Sequence, residues 1–200
     1  ELMDMFNVSR TTIRQAINML VQEGLLEKRQ GKGTIVLPMK LVSNLSRLRG
    51  FAEEVMERGM IPRSQLIRAE FMPMLHFEKA MLRLGESESA LLIERIRFAN
   101  DTPIALERSC WPENIGRILM SYDLNTAKYY EILENHHIYL KQANEKISAI
   151  NATQPEADLL GIRAGEALLE MTRLSYGLDG EPIEYTKTKF RSDQYSYDIE

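Results

Sequence analysis

The stretch Val8-Ser9-Arg10-Thr11-Thr12-Ile13-Arg14-Gln15-Ala16-Ile17-Asn18-Met19-Leu20-Val21-Gln22-Glu23-Gly24 decides the fold of the amino-terminal part of this 200-residue chain. Ser9 is a good helix N-cap, because its hydroxyl can accept from a backbone N–H two or three residues on. Ile13, Ala16, Ile17, Leu20 and Val21 then recur at the spacing of one helical face until Gly24 stops the run. A helix of about fourteen residues is predicted. Working outward, Leu2, Met5 and Phe6 read as the last turn of a preceding helix whose beginning is missing. Leu25 to Arg29 and Thr34 to Leu37 read as two short strands joined by the glycine-rich turn Gln30-Gly31-Lys32-Gly33. Helix, turn, helix and hairpin in that order predict a winged helix-turn-helix over residues 1–37.

A recognition helix presses its first turns into the major groove of DNA while the rest of its length packs inward. Arg10 and Arg14 are four apart and share a face, and Thr11 and Thr12 reach toward phosphates or bases. An arginine fork matches O6 and N7 of guanine. In the wing, Gly31 and Gly33 let the backbone approach the minor groove, and Lys32 brings charge near the phosphates. Each feature alone is also that of an ordinary amphipathic helix or hairpin; the ordered combination predicts double-stranded DNA as a partner. The charge distribution agrees. The whole chain carries −4, but residues 1–40 hold six Lys or Arg against four acids, a net +2 that leaves −6 on the rest.

With 44% hydrophobic and 27% charged residues the chain has material for packed cores. No run approaches the roughly eighteen apolar residues of a membrane helix, and the start lacks the basic and apolar regions of a secretion signal. A lone Cys110 beside Trp111 reads as a small buried hydrophobe, which suits a reducing cytoplasm. Residues 38–47 lack periodicity and read as a linker, with residues 48–200 as a second domain. An internal echo organises that domain: Ala90-Leu91-Leu92, the turn Asn100-Asp101 and Pro103-Ile104 recur as Ala167-Leu168-Leu169, Asp179-Gly180 and Pro182-Ile183, the prolines 79 residues apart. Two such hairpins, each preceded by a short helical element and separated by helices near 114–121 and 126–135, predict an α+β domain around one antiparallel sheet.

The segments Val8 to Ala16, Leu20-Val21-Gln22-Glu23-Gly24-Leu25-Leu26 and Gly31-Lys32-Gly33-Thr34 resemble the GntR family of bacterial regulators. Phe51, Arg95-Ile96-Arg97, Pro103-Ile104-Ala105-Leu106-Glu107 and Gly180-Glu181-Pro182-Ile183-Glu184-Tyr185 are similar to the UTRA effector-binding domain of its HutC subfamily. The resemblance runs over essentially the whole chain. It implies a chorismate-lyase-like second domain, a dimeric regulator that is usually a repressor, and a winged helix normally extended by further amino-terminal residues.

Strand alternation puts Arg95 and Arg97 on one face, Ala105 and Glu107 on one face of the next strand, and Glu184 and Thr186 on the equivalent face of the echo. Two cations and two anions on one sheet face would suit a small polar ligand such as a phosphorylated sugar. The same four charges also fit a solvated network that merely finishes a sheet face, and periodicity leaves the two readings level. The resemblance favours the ligand site: it implies Arg95 and Arg97 for a phosphate, Glu107 and Glu184 for the rest of the effector, and Phe51 and Tyr130 as aromatic walls. Ala52, Lys128 and Phe190 stand where phosphosugar-sensing relatives often carry hydroxyl residues. Lys128 would add charge for a further acidic group, and reads equally as a solvent-facing helix lysine. His136-His137 is too isolated to suggest a metal site, and no cofactor is expected. The rival from another class is an enzyme of the chorismate-lyase-like fold acting on a small anionic metabolite, but no nucleophile-base pair or metal set stands out.

Overall fold

The computed structural model describes residues 2–22, 26–31, 33–36, 41–44 and 51–198, which fall into two compact units, Glu1–Lys40 and Leu41–Glu200. In the first unit, helix α1 (Leu2–Phe6) turns through Asn7, whose φ of 50° is left-handed, into helix α2 (Arg10–Gln22). Ser9 caps α2: its Oγ accepts from the Thr12 backbone N–H at 3.2 Å. Strands β1 (Leu26–Arg29) and β2 (Gly33–Val36) pair antiparallel, Leu26 opposite Val36 and Arg29 opposite Gly33. Ile13, Ile17 and Val21 form the half-buried stripe of α2, whereas Ala16 and Leu20, read above as inward, are exposed. Gly24, Leu25, Lys32 and Leu37 lie outside the described residues.

The second unit begins earlier than the sequence suggests. Strand β3 (Leu41–Asn44) lies within the stretch read as a linker and pairs parallel with β10 (Tyr195–Asp198). Four residues without periodicity are extended here because a strand about 150 positions away supplies their hydrogen-bond partners. Between them run helix α3 (Phe51–Glu57), strand β4 (Pro62–Met72), helix α4 (His76–Met81), strands β5 (Ala90–Ala99) and β6 (Thr102–Pro112), helices α5 (Glu113–Leu119) and α6 (Tyr129–Asn135), strand β7 (Leu140–Asn151), helix α7 (Gln154–Leu160), and strands β8 (Ala167–Gly177) and β9 (Pro182–Arg191).

The echo in sequence is a repeat in space. Strand, helix, hairpin (β4-α4-β5-β6) is followed by the same series (β7-α7-β8-β9), and the six strands form one antiparallel sheet in the order β4-β5-β6-β9-β8-β7. The halves meet where β6 pairs with β9, at a rung that sets Arg108 opposite Lys187, residues related by the echo itself. On one face α4 covers Leu92, Cys110 and Tyr185, and α7 covers Leu106, Ile150 and Leu168. On the other, α5 and α6 pack on Leu91, Ile93 and Trp111, while Val55 of α3 and Tyr195 of β10 pack on Ala105, Met171 and Phe190. Between those last two clusters the sheet face is polar, and a cavity opens there.

Candidate functional site

The cavity has a volume of about 90 Å³, room for several ordered waters, and Phe51, Arg95, Arg97, Glu107, Lys128, Tyr130 and Glu184 all line it. Period-two alternation brings the four strand residues there: Arg95 and Arg97 point the same way from β5, Glu107 lies opposite Arg95 on β6, and Glu184 lies opposite Ser175 on β9, while Phe51 comes from α3 and Lys128 and Tyr130 from the start of α6.

At one end two guanidiniums close on one carboxylate. Arg95 donates from Nε and Nη2 to Glu107 Oε1 at 3.1 and 2.5 Å, and Arg97 donates from Nε to Glu107 Oε2 at 3.0 Å. Arg95 also reaches the Leu124 carbonyl at 3.3 Å, and Arg97 the Ser64 hydroxyl at 2.9 Å. Burial works against the charge on Glu107, but the two arginines outweigh it and hold its pKa down to about 2. Burial, and then Arg95, lower the pKa of Arg97. These bonds occupy three of the five N–H groups on each guanidinium, so the trio carries a net positive charge and unused donors. Arg95 is wholly buried, its guanidinium 3.8 Å above the Tyr129 ring, and Arg97 lies 5.4 Å from the Phe51 ring.

The other end is built on hydroxyls. Glu184 accepts from Tyr130 Oη at 2.7 Å, Ser175 Oγ at 2.9 Å and Thr186 Oγ1 at 2.6 Å. A solvated network joining both arginines to both acids is therefore not what the sheet face carries. The arginines take Glu107, Glu184 takes three uncharged donors, and the groups are buried because α3, α6 and β10 roof the face. Burial and the charge of Glu184 push the Tyr130 phenol up, so it stays a donor. Lys128 sits half-exposed at the rim and pairs with Glu131 at 3.2 Å, one turn along α6. Phe190 stacks on Tyr195 at 3.8 Å as part of the wall.

Arg173 is one of four charged residues lining the cavity that escape a reading by motif, with Glu53, Glu54 and Glu131. It donates to Glu145 at 2.6 Å and reaches Tyr130 Oη at 3.2 Å; burial opposes its charge, but Tyr130 and Glu145 raise its pKa. A spacing of 79 alone would set Leu174 against Arg95, and it is the register of the strands that marks Arg173. Arg95 faces Glu107 and Arg173 faces Thr186, and those partners stand 79 residues apart. Arg173 is thus the counterpart of Arg95 in the second half.

In the first unit Arg10, Thr11, Thr12 and Arg14 are all exposed on the first turns of α2. The Thr12 hydroxyl lies 2.9 Å from Ser9 Oγ, so it also serves the cap. Lys28 bonds Asn18, tying the hairpin to α2. Gly31 and Gly33 have φ of 75° and 87°, and nothing lies where a Cβ would project, so backbone conformation rather than space calls for glycine at both. Lys32, between them, lies outside the described residues.

The sequence matches the UTRA domain over residues 57–196 and the bacterial regulatory proteins of the gntR family over residues 1–36. It is 34% identical over 197 residues to the HTH-type transcriptional repressor NagR of Bacillus subtilis, covering 98% of this chain and 81% of that protein. It is 27% identical to the mannosyl-D-glycerate transport/metabolism system repressor MngR of Escherichia coli, covering 97% and 81%. Among solved structures, PhnF from Mycobacterium smegmatis superposes with a TM-score of 0.88 at 23% identity, over 99% of this chain and 87% of that one. A GntR-family transcriptional regulator from Enterococcus faecalis superposes with a TM-score of 0.62 at 30% identity, over 68% and 99%.

Proposed function

The chain belongs to the gntR family of bacterial regulatory proteins in its UTRA-bearing branch, and on that premise we propose that it is a metabolite-controlled repressor whose effector occupies the cavity between Arg97 and Glu184. Control of transcription through operator DNA, with a small molecule as the signal, follows from the two domains. The identity of the signal is our own reading: a small anionic metabolite, with a phosphorylated sugar first in line.

The observation that carries this reading is the trio of buried Arg95 with the partly buried Arg97 and Glu107, which holds one positive charge in excess and keeps unused N–H donors. A guanidinium fork with open donors suits a phosphate or carboxylate. The hydroxyl-bound Glu184 at the opposite end suits the hydroxyls or amine of a sugar. The names of the relatives support a sugar-related effector, since MngR is the repressor of a mannosyl-D-glycerate transport/metabolism system and another relative, 25% identical, is the probable repressor of fructoselysine utilisation in E. coli. We take Arg10, Thr11, Thr12, Arg14 and the wing at Gly31, Lys32 and Gly33 as the DNA-reading surface, presented twice by a homodimer in the cytoplasm. In this reading the cavity senses and does not catalyse.

A titration of operator DNA, with and without glucosamine 6-phosphate, glucose 6-phosphate and fructose 6-phosphate, tests the proposal. Arg14→Ala is expected to weaken operator binding about tenfold or more. Arg97→Ala is expected to lose the response to whichever phosphosugar acts on the wild type, its operator affinity without effector serving as the control for folding. An Arg97→Ala protein that responds normally, or turnover of the sugar by the wild type, would sink the reading.

A further inference from the structure

Two neighbouring tyrosines begin helix α6, and the cavity uses them differently. Tyr130 has its hydroxyl fully engaged, donating to Glu184 and accepting from Arg173. Tyr129 is 8% exposed, set edge-on to Trp111 with ring centroids 5.6 Å apart, and the Arg95 guanidinium lies over its ring. Its hydroxyl is the one buried side-chain polar atom among the described residues without a hydrogen-bond partner. Buried polar atoms are nearly always bonded, because water gives up its own bonds to them only at a cost. A phenylalanine would fill the same slot between Trp111 and Arg95 without that cost.

The surroundings say what kind of partner the hydroxyl awaits. Tyr129 lines the cavity, and the charges acting on its hydroxyl are those of Arg95, Glu107, Arg97 and Glu184. Burial above all drives its pKa upward, so the phenol keeps its proton and is a donor. Arg95, whose guanidinium lies over the Tyr129 ring, and Arg97, its neighbour on Glu107, also retain free N–H groups. One acceptor-rich group would satisfy all three side chains.

We propose that the Tyr129 hydroxyl is an effector contact, donating to the phosphate or carboxylate that Arg95 and Arg97 hold. The proposal rests on the effector reading of the cavity and sharpens it. The tyrosine adds a third, uncharged donor to the anion subsite, so this subsite favours a group with at least three acceptor oxygens facing the protein, as phosphate offers, over a carboxylate. The bond exists only when the site is filled, which makes the hydroxyl neutral or unfavourable for the free protein and favourable for the bound one.

Calorimetric titration and thermal melting of the full chain, as wild type, Tyr129→Phe and Arg97→Ala, separate the possibilities, with inorganic phosphate, glucosamine 6-phosphate and glucuronate as probes. We expect Tyr129→Phe to bind the phosphate probes about tenfold more weakly, with less loss toward glucuronate, and to melt in the free state at or above the wild-type temperature. If Arg97→Ala abolishes binding while Tyr129→Phe binds like the wild type, the hydroxyl makes no effector contact and only this inference falls. If the free Tyr129→Phe protein melts several degrees lower, the hydroxyl is already bonded within the protein and the inference falls likewise. If no probe binds the wild type, or Arg97→Ala binds unimpaired, the effector reading itself fails and takes this inference with it.

Discussion

Glu107 is the residue on which the cavity's electrostatics turn. It is the shared carboxylate of one buried and one largely buried arginine, and removing its charge leaves two guanidiniums side by side in a low-dielectric site. Glu107→Gln is expected to cost about 3–5 kcal/mol, the usual range for breaking a buried pair from one side. The pH dependence has a definite sign. The folded pKa lies near 2, below the ordinary 4.5, so the stabilisation is complete above about 4.5 and is lost as pH falls from there through 2. Denaturation of both proteins across that window should show the gap between wild type and variant shrinking toward acid; a constant gap would contradict the buried trio. At this scale the sequence was informative about membership and silent about pairing. Strand alternation and family motifs placed Arg95, Arg97, Glu107 and Glu184 on one face, but whether the arginines took Glu107, Glu184 or water depended on which groups the roof of α3, α6 and β10 desolvates.

At the scale of elements, local signals and long-range contacts divide the work. The cap at Ser9, the pairing of β1 with β2 and the two hairpins of the sheet are written in neighbouring residues, and among the described residues they form near where the sequence places them, whereas the stripe on α2 keeps only Ile13, Ile17 and Val21. Helix α7 likewise carries its own start signal, a capping box in which Thr153 and Glu156 satisfy each other's backbone. Helix α5 shows the other kind of constraint. A Cβ on its Gly116 would lie 2.6 Å from Leu91 Cβ and 3.0 Å from the Phe71 ring, so glycine is what lets the helix lie against β5 and β4. Gly116→Ala gains helix propensity yet is expected to destabilise the domain by about 1–3 kcal/mol, the cost of overpacking. Denaturant unfolding measures it; a neutral or stabilising outcome would mean that the helix can back away from the sheet. Strand β3 is extended only because β10 pairs with it, and nothing in residues 38–47 announces that.

For the whole molecule, the repeat β-α-β-β taken twice makes one sheet with its halves joined at Arg108 and Lys187, while α5 and α6 occur once and break the symmetry. That break gives the sheet face its cavity on one side, since the start of α6 brings Lys128, Tyr129 and Tyr130 over only one part of the face. If operator and effector are coupled, the coupling is reciprocal: whatever factor the effector changes operator affinity by, saturating operator must change effector affinity by the same factor. Effector titrations with and without operator DNA measure that factor, and a factor of one would show that the two sites are not coupled. The sequence by itself determined the capped helix α2, the internal repeat and which strand residues share the cavity's face, because these depend on periodicity and spacing along the chain. Only the tertiary structure decided that β3 joins the second unit, that Arg173 stands as the counterpart of Arg95, that Glu107 rather than Glu184 holds the arginines, and that Tyr129 is left with an unspent donor. Each of those outcomes depends on which distant segments meet and exclude water, and no local pattern encodes that.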